Sequence, residues 1–183
     1  MKSTTIKKSN LIALCICFVF SFTAIAQVGG WNPELENDAK EALEKMLEKT
    51  PKLKLFKDKA YGYVVYPKIT KAGIGIGGAA GKGVVYQDTT VIGSSKLKQA
   101  SIGLQLGGQQ YSEVIFFENK VAFDHFTNGN LKFDAQASAV AITAGASVDV
   151  AYKSGVAVFT QTKGGLMYEA SIGGQHFTFK SKK

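Results

Sequence analysis

The chain has 183 residues, 20% of them charged, a formal net charge of +8 and no arginine, so all 22 basic residues are lysines. Arginine is the usual residue for bidentate contacts to phosphates and base edges, so this composition argues against specific nucleic-acid readout, while lysines still attract anionic surfaces as point charges. Both cysteines, Cys15 and Cys17, precede residue 27, so the remainder offers no disulfide, thiol nucleophile or thiolate metal site.

The first 26 residues read as a secretory signal peptide. Lys2, Lys7 and Lys8 are followed by the apolar or small run Leu11–Phe22 and then Ala24-Ile25-Ala26, which places cleavage before Gln27. The apolar run is about twelve residues long, short of the roughly twenty that a spanning helix needs. Lipidation would require a small residue just before Cys15 or Cys17, where Leu14 and Ile16 stand, so simple cleavage fits better. Residues 27–183 then carry 19 lysines against 14 carboxylates, a net of +5, and are the size of one domain. The expected location is periplasmic or extracellular, peripheral to a membrane.

Asn32-Pro33-Glu34 is a helix start, with an Asn cap, proline at the first helical position and acids in the first turn. Leu35, Ala39, Ala42, Leu43, Met46 and Leu47 recur at helical spacing and Thr50-Pro51 ends the pattern, predicting an amphipathic helix over 33–50. Its polar side holds six acids and three lysines, a net of −3, whereas membrane-surface helices are usually basic; packing onto a core is the expected role. The sign then reverses: Lys52, Lys54, Lys57, Lys59, Lys68 and Lys71 face only Asp58 between residues 51 and 71.

From Tyr61 the pattern becomes period-two. Expected strands are 61–66, 72–77, 83–87, 100–107, 113–118, 131–143, 147–152, 156–160, 165–172 and 176–180, with a short helix over 121–127. The fold class expected is α+β: a mainly antiparallel β barrel or tight sandwich (body 55–180) behind the N-terminal helix. Glycine alternates with Ile or Leu in Gly73–Gly78 and Ile102–Gly108, which permits sharp coiling or close approach of another backbone. Leu131, Phe133, Ala135, Ala137, Ala139 and Ala141 share one strand face, small enough for a second sheet, the helix or an acyl chain to pack closely.

Chemistry is sparse. Gly73, Gly75 and Gly78 satisfy G-x-G-x-x-G, but β-branched residues follow where a helix should start, and Gly83 stands where a P-loop needs Ser or Thr; neither a nucleotide nor another cofactor is expected. His125 and His176 lie in no metal-ligand spacing, no G-x-S-x-G elbow occurs, and no catalytic or metal residue is assigned.

Five blocks in order resemble the SYLF-domain family: Ala60–Lys68 (AYGYVVYPK), Lys71–Gly78 (KAGIGIGG) with Gly81–Val85 (GKGVV), Ile102–Gly108 (IGLQLGG), Asp134–Ser138 (DAQAS), and Lys163–Leu166 (KGGL) with Ala170–Gly173 (ASIG). They run from about Leu55 to Ile172. The resemblance implies a β-rich fold with N-terminal helical structure and binding to anionic membrane lipids; some eukaryotic relatives also bind actin. With the bacterial-type export signal, it implies an exported envelope protein without enzymatic activity. Its partner would be an anionic phospholipid or membrane surface, held by a lysine patch of Lys52, Lys54, Lys57, Lys68, Lys71 and Lys82 beside the Gly-rich strand. The alternative is an envelope structural or protein-interaction module that binds no lipid.

Overall fold

The computed structural model describes residues 31–129, 152–162, 165–168 and 174–183. The expected strands within 131–143 and 147–151, the alanine stripe and the signal segment lie outside these residues.

Helix α1, Pro33–Lys49, starts where Asn32 caps it: the Asn32 side-chain oxygen accepts from the backbone N–H of Glu34 at 3.0 Å and of Leu35 at 3.4 Å. It buries Ala39, Leu43 and Met46, spaced by three and four residues on one side. A second helix, α2, spans Leu53–Lys59, a stretch the lysine-rich sequence leaves as loop. Seven residues do not hold a helix by propensity; Leu53 and Phe56, one turn apart, are buried and pin it to the body.

Strand β1 runs Gly62–Gln87 and β2 runs Thr90–Phe117, joined at Asp88 and Thr89, where Asp88 adopts a left-handed φ of 52°. Three expected strands merge into β1, and two merge into β2 together with residues 90–99, which carry no expected strand. Glycine and proline punctuate the sequence there and the ladder shifts register between Tyr66 and Ile69 and between Gly73 and Gly75, yet it resumes beyond each shift because a long antiparallel partner supplies the hydrogen bonds. Helix α3, Lys120–Thr127, follows and is capped by Asn119, whose side chain accepts from Ala122 N–H at 3.0 Å. Then come β3, Val156–Thr162; β4, Gly165–Tyr168; and β5, Gln175–Ser181. The described sheet is antiparallel throughout its pairings. β1, β2, β3 and β4 lie in that order, and β5 joins the start of β2 on the side away from β1.

Alternation along the strands divides the core into two. Tyr63, Val65, Val84, Tyr86, Val114, Phe116, Ala157 and Phe159 pack under α1 and α2. Val64, Tyr66, Val85, Ile115, Phe117, Val156 and Val158 face the other way, toward α3 and Phe177 of β5. This root of the hairpin is therefore buried on both faces, which is the α+β layering that the period-two runs behind an amphipathic helix imply.

The two arms of β1 touch. A Cβ on Gly83 would lie 2.8 Å from the Val65 carbonyl oxygen and 2.6 Å from the Tyr66 ring, and one on Gly81 would lie 3.1 Å from the Lys68 oxygen. Glycine here serves close backbone approach, the role its alternation in the sequence implies.

Candidate functional site

Beyond the root, the face of the sheet that carries α1 becomes basic. Val84 packs under α1, so Lys82 and Ala80, two and four residues back, share that face and are exposed. Lys82 pairs across the strand with Lys96, and Ala80 with Lys98. On the far side of β2, Lys96 pairs with Thr178, Lys98 with His176 and Ser94 with Lys180. Lys82, Lys96, Lys98, His176, Thr178 and Lys180 are all exposed, while the alternate residues Ala79, Ser95, Leu97 and Phe177 are buried.

The other arm of β1 adds Lys68. A register shift between Tyr66 and Ile69 puts both of those side chains into the same core, so one extra residue is spent and Lys68, Thr70 and Ala72 emerge on the outside. The contact between Gly81 and the Lys68 backbone brings the Lys68 and Lys82 segments together. Lys82 and Lys96 stand directly opposite with Cβ atoms about 5 Å apart, a like-charge pair that costs stability. No carboxylate stands on this face among the described residues between Lys68 and Ala72, Gly78 and Lys82, Lys96 and Ala100, or His176 and Lys180.

The six lysines read from the sequence fall in three places. Lys68 and Lys82 are on the basic face. Lys71, opposite Gln109, has the other parity and is half-buried. Lys52, Lys54 and Lys57 belong to α2 and its N-terminal boundary, with Lys54 paired to Asp58 at 2.8 Å. Sequence reading missed Lys96, Lys98 and Lys180. Their signal was present in the alternation Lys96-Leu97-Lys98 and Phe177-Thr178-Phe179-Lys180, but without a strand assigned to 90–99 nothing placed them beside Lys82.

The stretch KAGIGIGGAAGKGVVY lies wholly within β1, so it is strand throughout and has no helix N-terminus to hold a nucleotide phosphate. His125, on α3, and His176, on β5, are both exposed, and the cross-strand neighbour of His176 is Lys98. Among the described residues, no three His, Cys, Asp or Glu side chains are grouped to hold a metal ion, and no helix is long and apolar enough to cross a membrane.

Residues 98–183 match the family described as "Ysc84: Las17-binding protein actin regulator". Beta cell expansion factor A of Aeromonas veronii is 31% identical over 137 residues, 74% of this chain and 52% of that protein. The chain belongs to the Ysc84/SYLF family. It spans about half the length of that curated relative. The descriptions "actin regulator" and "expansion factor" name regulatory rather than enzymatic roles for those proteins. Membership is consistent, at the level of the family, with binding of lipid or of an actin regulator. In this SYLF chain the matched stretch includes β3, β4 and β5 and two lysines of the basic face, Lys98 and Lys180.

Proposed function

We propose that this protein is an exported, non-enzymatic binder of anionic membrane lipids, acting at a membrane surface in the periplasm or outside the cell after removal of residues 1–26. The observation that carries the reading is the face bearing Lys68, Lys82, Lys96, Lys98 and Lys180, assembled from both arms of β1, β2 and β5. A cross-strand lysine pair is unfavourable for the fold alone, and an anionic partner converts that cost into binding. Each lysine close to an anionic bilayer contributes on the order of 1 kcal/mol, so these five would hold a peripheral protein, and salt would loosen it over a Debye length of about 10 Å. Lys52 and Lys57, at the start of α2 and within it, and Lys71, on the other side of β1, add to the field.

Vesicle co-sedimentation tests this. The protein should pellet with phosphatidylglycerol or cardiolipin vesicles at low salt, release as salt rises, and stay in solution with phosphatidylcholine. The second reading, a protein-interaction module, is favoured by the exposed acids of α1, Glu34, Asp38, Glu41, Glu44 and Glu48. Failure to pellet with any anionic vesicle, together with co-purification of one envelope protein that is lost when these acids are neutralised, would establish that reading instead.

A further inference from the structure

A cleft of about 350 Å³ opens between the C-terminal half of α1 and the sheet, where Pro67 and Lys68 of β1 bulge opposite β2. Three lysines line it from two elements: Lys45 and Lys49, one helical turn apart on α1, and Lys68. The remainder of the wall is neutral and rich in hydrogen-bonding groups, among them Ser112, Gln161 and Thr162, and no carboxylate lines it. Ser112 Oγ donates to the Pro67 carbonyl oxygen at 2.7 Å, which fixes the bulge that presents Lys68.

Lys45 is ion-paired with Glu41, but both side chains are more than 60% exposed, so the pair is weakly held and open to exchange. Lys49 has no ion-pair partner among the described residues. Three lysines lining a concave, partly polar wall differ from the flat lysine face: a plane of charge suits a bilayer, whereas a concave wall suits one compact anion.

We infer that this cleft binds a single phosphate group, as the phosphate of a lipid headgroup or of a free phosphorylated small molecule. Lys45, Lys49 and Lys68 supply the charge, and Gln161 and Thr162 the polar wall around it, while Ser112 holds the bulge that presents Lys68. Only the choice of a lipid as the source rests on the proposed function. Lys68 belongs to both the cleft and the basic face, so a bilayer docked on that face would present its headgroups at the cleft mouth.

The test titrates the purified chain with inorganic phosphate, with glycerol phosphate and with short-chain phosphatidylglycerol below its micelle concentration, following backbone amide resonances of Ser112, Gln161 and Thr162. Saturable shifts at these amides are expected. K45Q/K49Q should weaken them about tenfold, while K96Q/K98Q/K180Q leaves them unchanged. Both variants change exposed positions, and unchanged melting temperatures confirm that they fold. Tighter saturation by short-chain phosphatidylglycerol than by glycerol phosphate identifies the lipid as the source. Saturation by glycerol phosphate in a chain that never pellets with anionic vesicles supports the cleft with a free phosphate compound as ligand, and defeats the lipid reading alone. Pelleting with anionic vesicles but no saturable shift at these amides, or shifts untouched by K45Q/K49Q, overturns the cleft and leaves the lipid reading standing.

Discussion

The root and the arms of the β1–β2 hairpin are made of the same two strands and differ in almost everything else. At the root, residues 62–66, 84–86 and 113–117 are covered on both faces, and Phe116 meets the rings of Phe56, Tyr63 and Phe159 at centroid distances of 6.1, 5.9 and 5.8 Å. Along the arms only the inner face is buried, by Ile69, Ala79 and Leu97, and the outer face carries Lys68, Lys82, Lys96 and Lys98. Stability is concentrated where both faces are apolar, and charge is displayed where only one is. The two properties should therefore separate under mutation.

The largest effect should come from the root. Phe116→Ala is expected to cost about 3–5 kcal/mol, a large share of a typical domain's stability, read as a drop in the urea midpoint.

High pH attacks the same region. Burial pushes the Tyr63 hydroxyl up to about 12, and holds those of Tyr66, Tyr86 and Tyr152 above their ordinary value as well. The unfolded chain releases these protons near pH 10 while the folded chain retains them. Their contribution is thus complete below pH 10 and is lost as pH rises through about 12. Tyrosinate absorbance and far-ultraviolet circular dichroism should change together in an alkaline titration, whereas exposed tyrosines would ionise before unfolding.

A glycine pair sharpens the contrast. Gly83→Ala forces a methyl against the Val65 oxygen and the Tyr66 ring and should cost about 1–3 kcal/mol. Gly78→Ala, on the exposed face with 3.3 Å to the Gln99 oxygen, should stay within about 1 kcal/mol of wild type by thermal melting. The smallest effect has the opposite sign. Lys82→Gln relieves the repulsion from Lys96 and should raise stability by a few tenths of a kcal/mol at low salt.

How much of this was legible in the sequence follows the range of the forces involved. Helix α1 could be read almost to the residue, because Asn32, Pro33 and the apolar spacing are local signals, and α3 likewise from Val121 to Thr127. Helix α2 was missed because what holds it is the burial of Phe56 against Phe159 and Phe116, contacts about sixty or more residues away. The period-two pattern gave most strands, yet glycine broke β1 and β2 into pieces on paper that their mutual ladder joins. The basic face was half legible: Lys68 and Lys82 stand beside the Gly-rich block, whereas Lys96, Lys98 and Lys180 reach them only through register between distant strands.

The most direct measurement is the affinity of a Lys82→Gln, Lys96→Gln, Lys98→Gln, Lys180→Gln variant for phosphatidylglycerol vesicles at low salt, taken beside its melting temperature. An unchanged or slightly raised melting temperature is expected, with binding weakened about a hundredfold or more. Binding equal to that of the wild type, in a variant that melts normally, would contradict a lipid-binding role for this face.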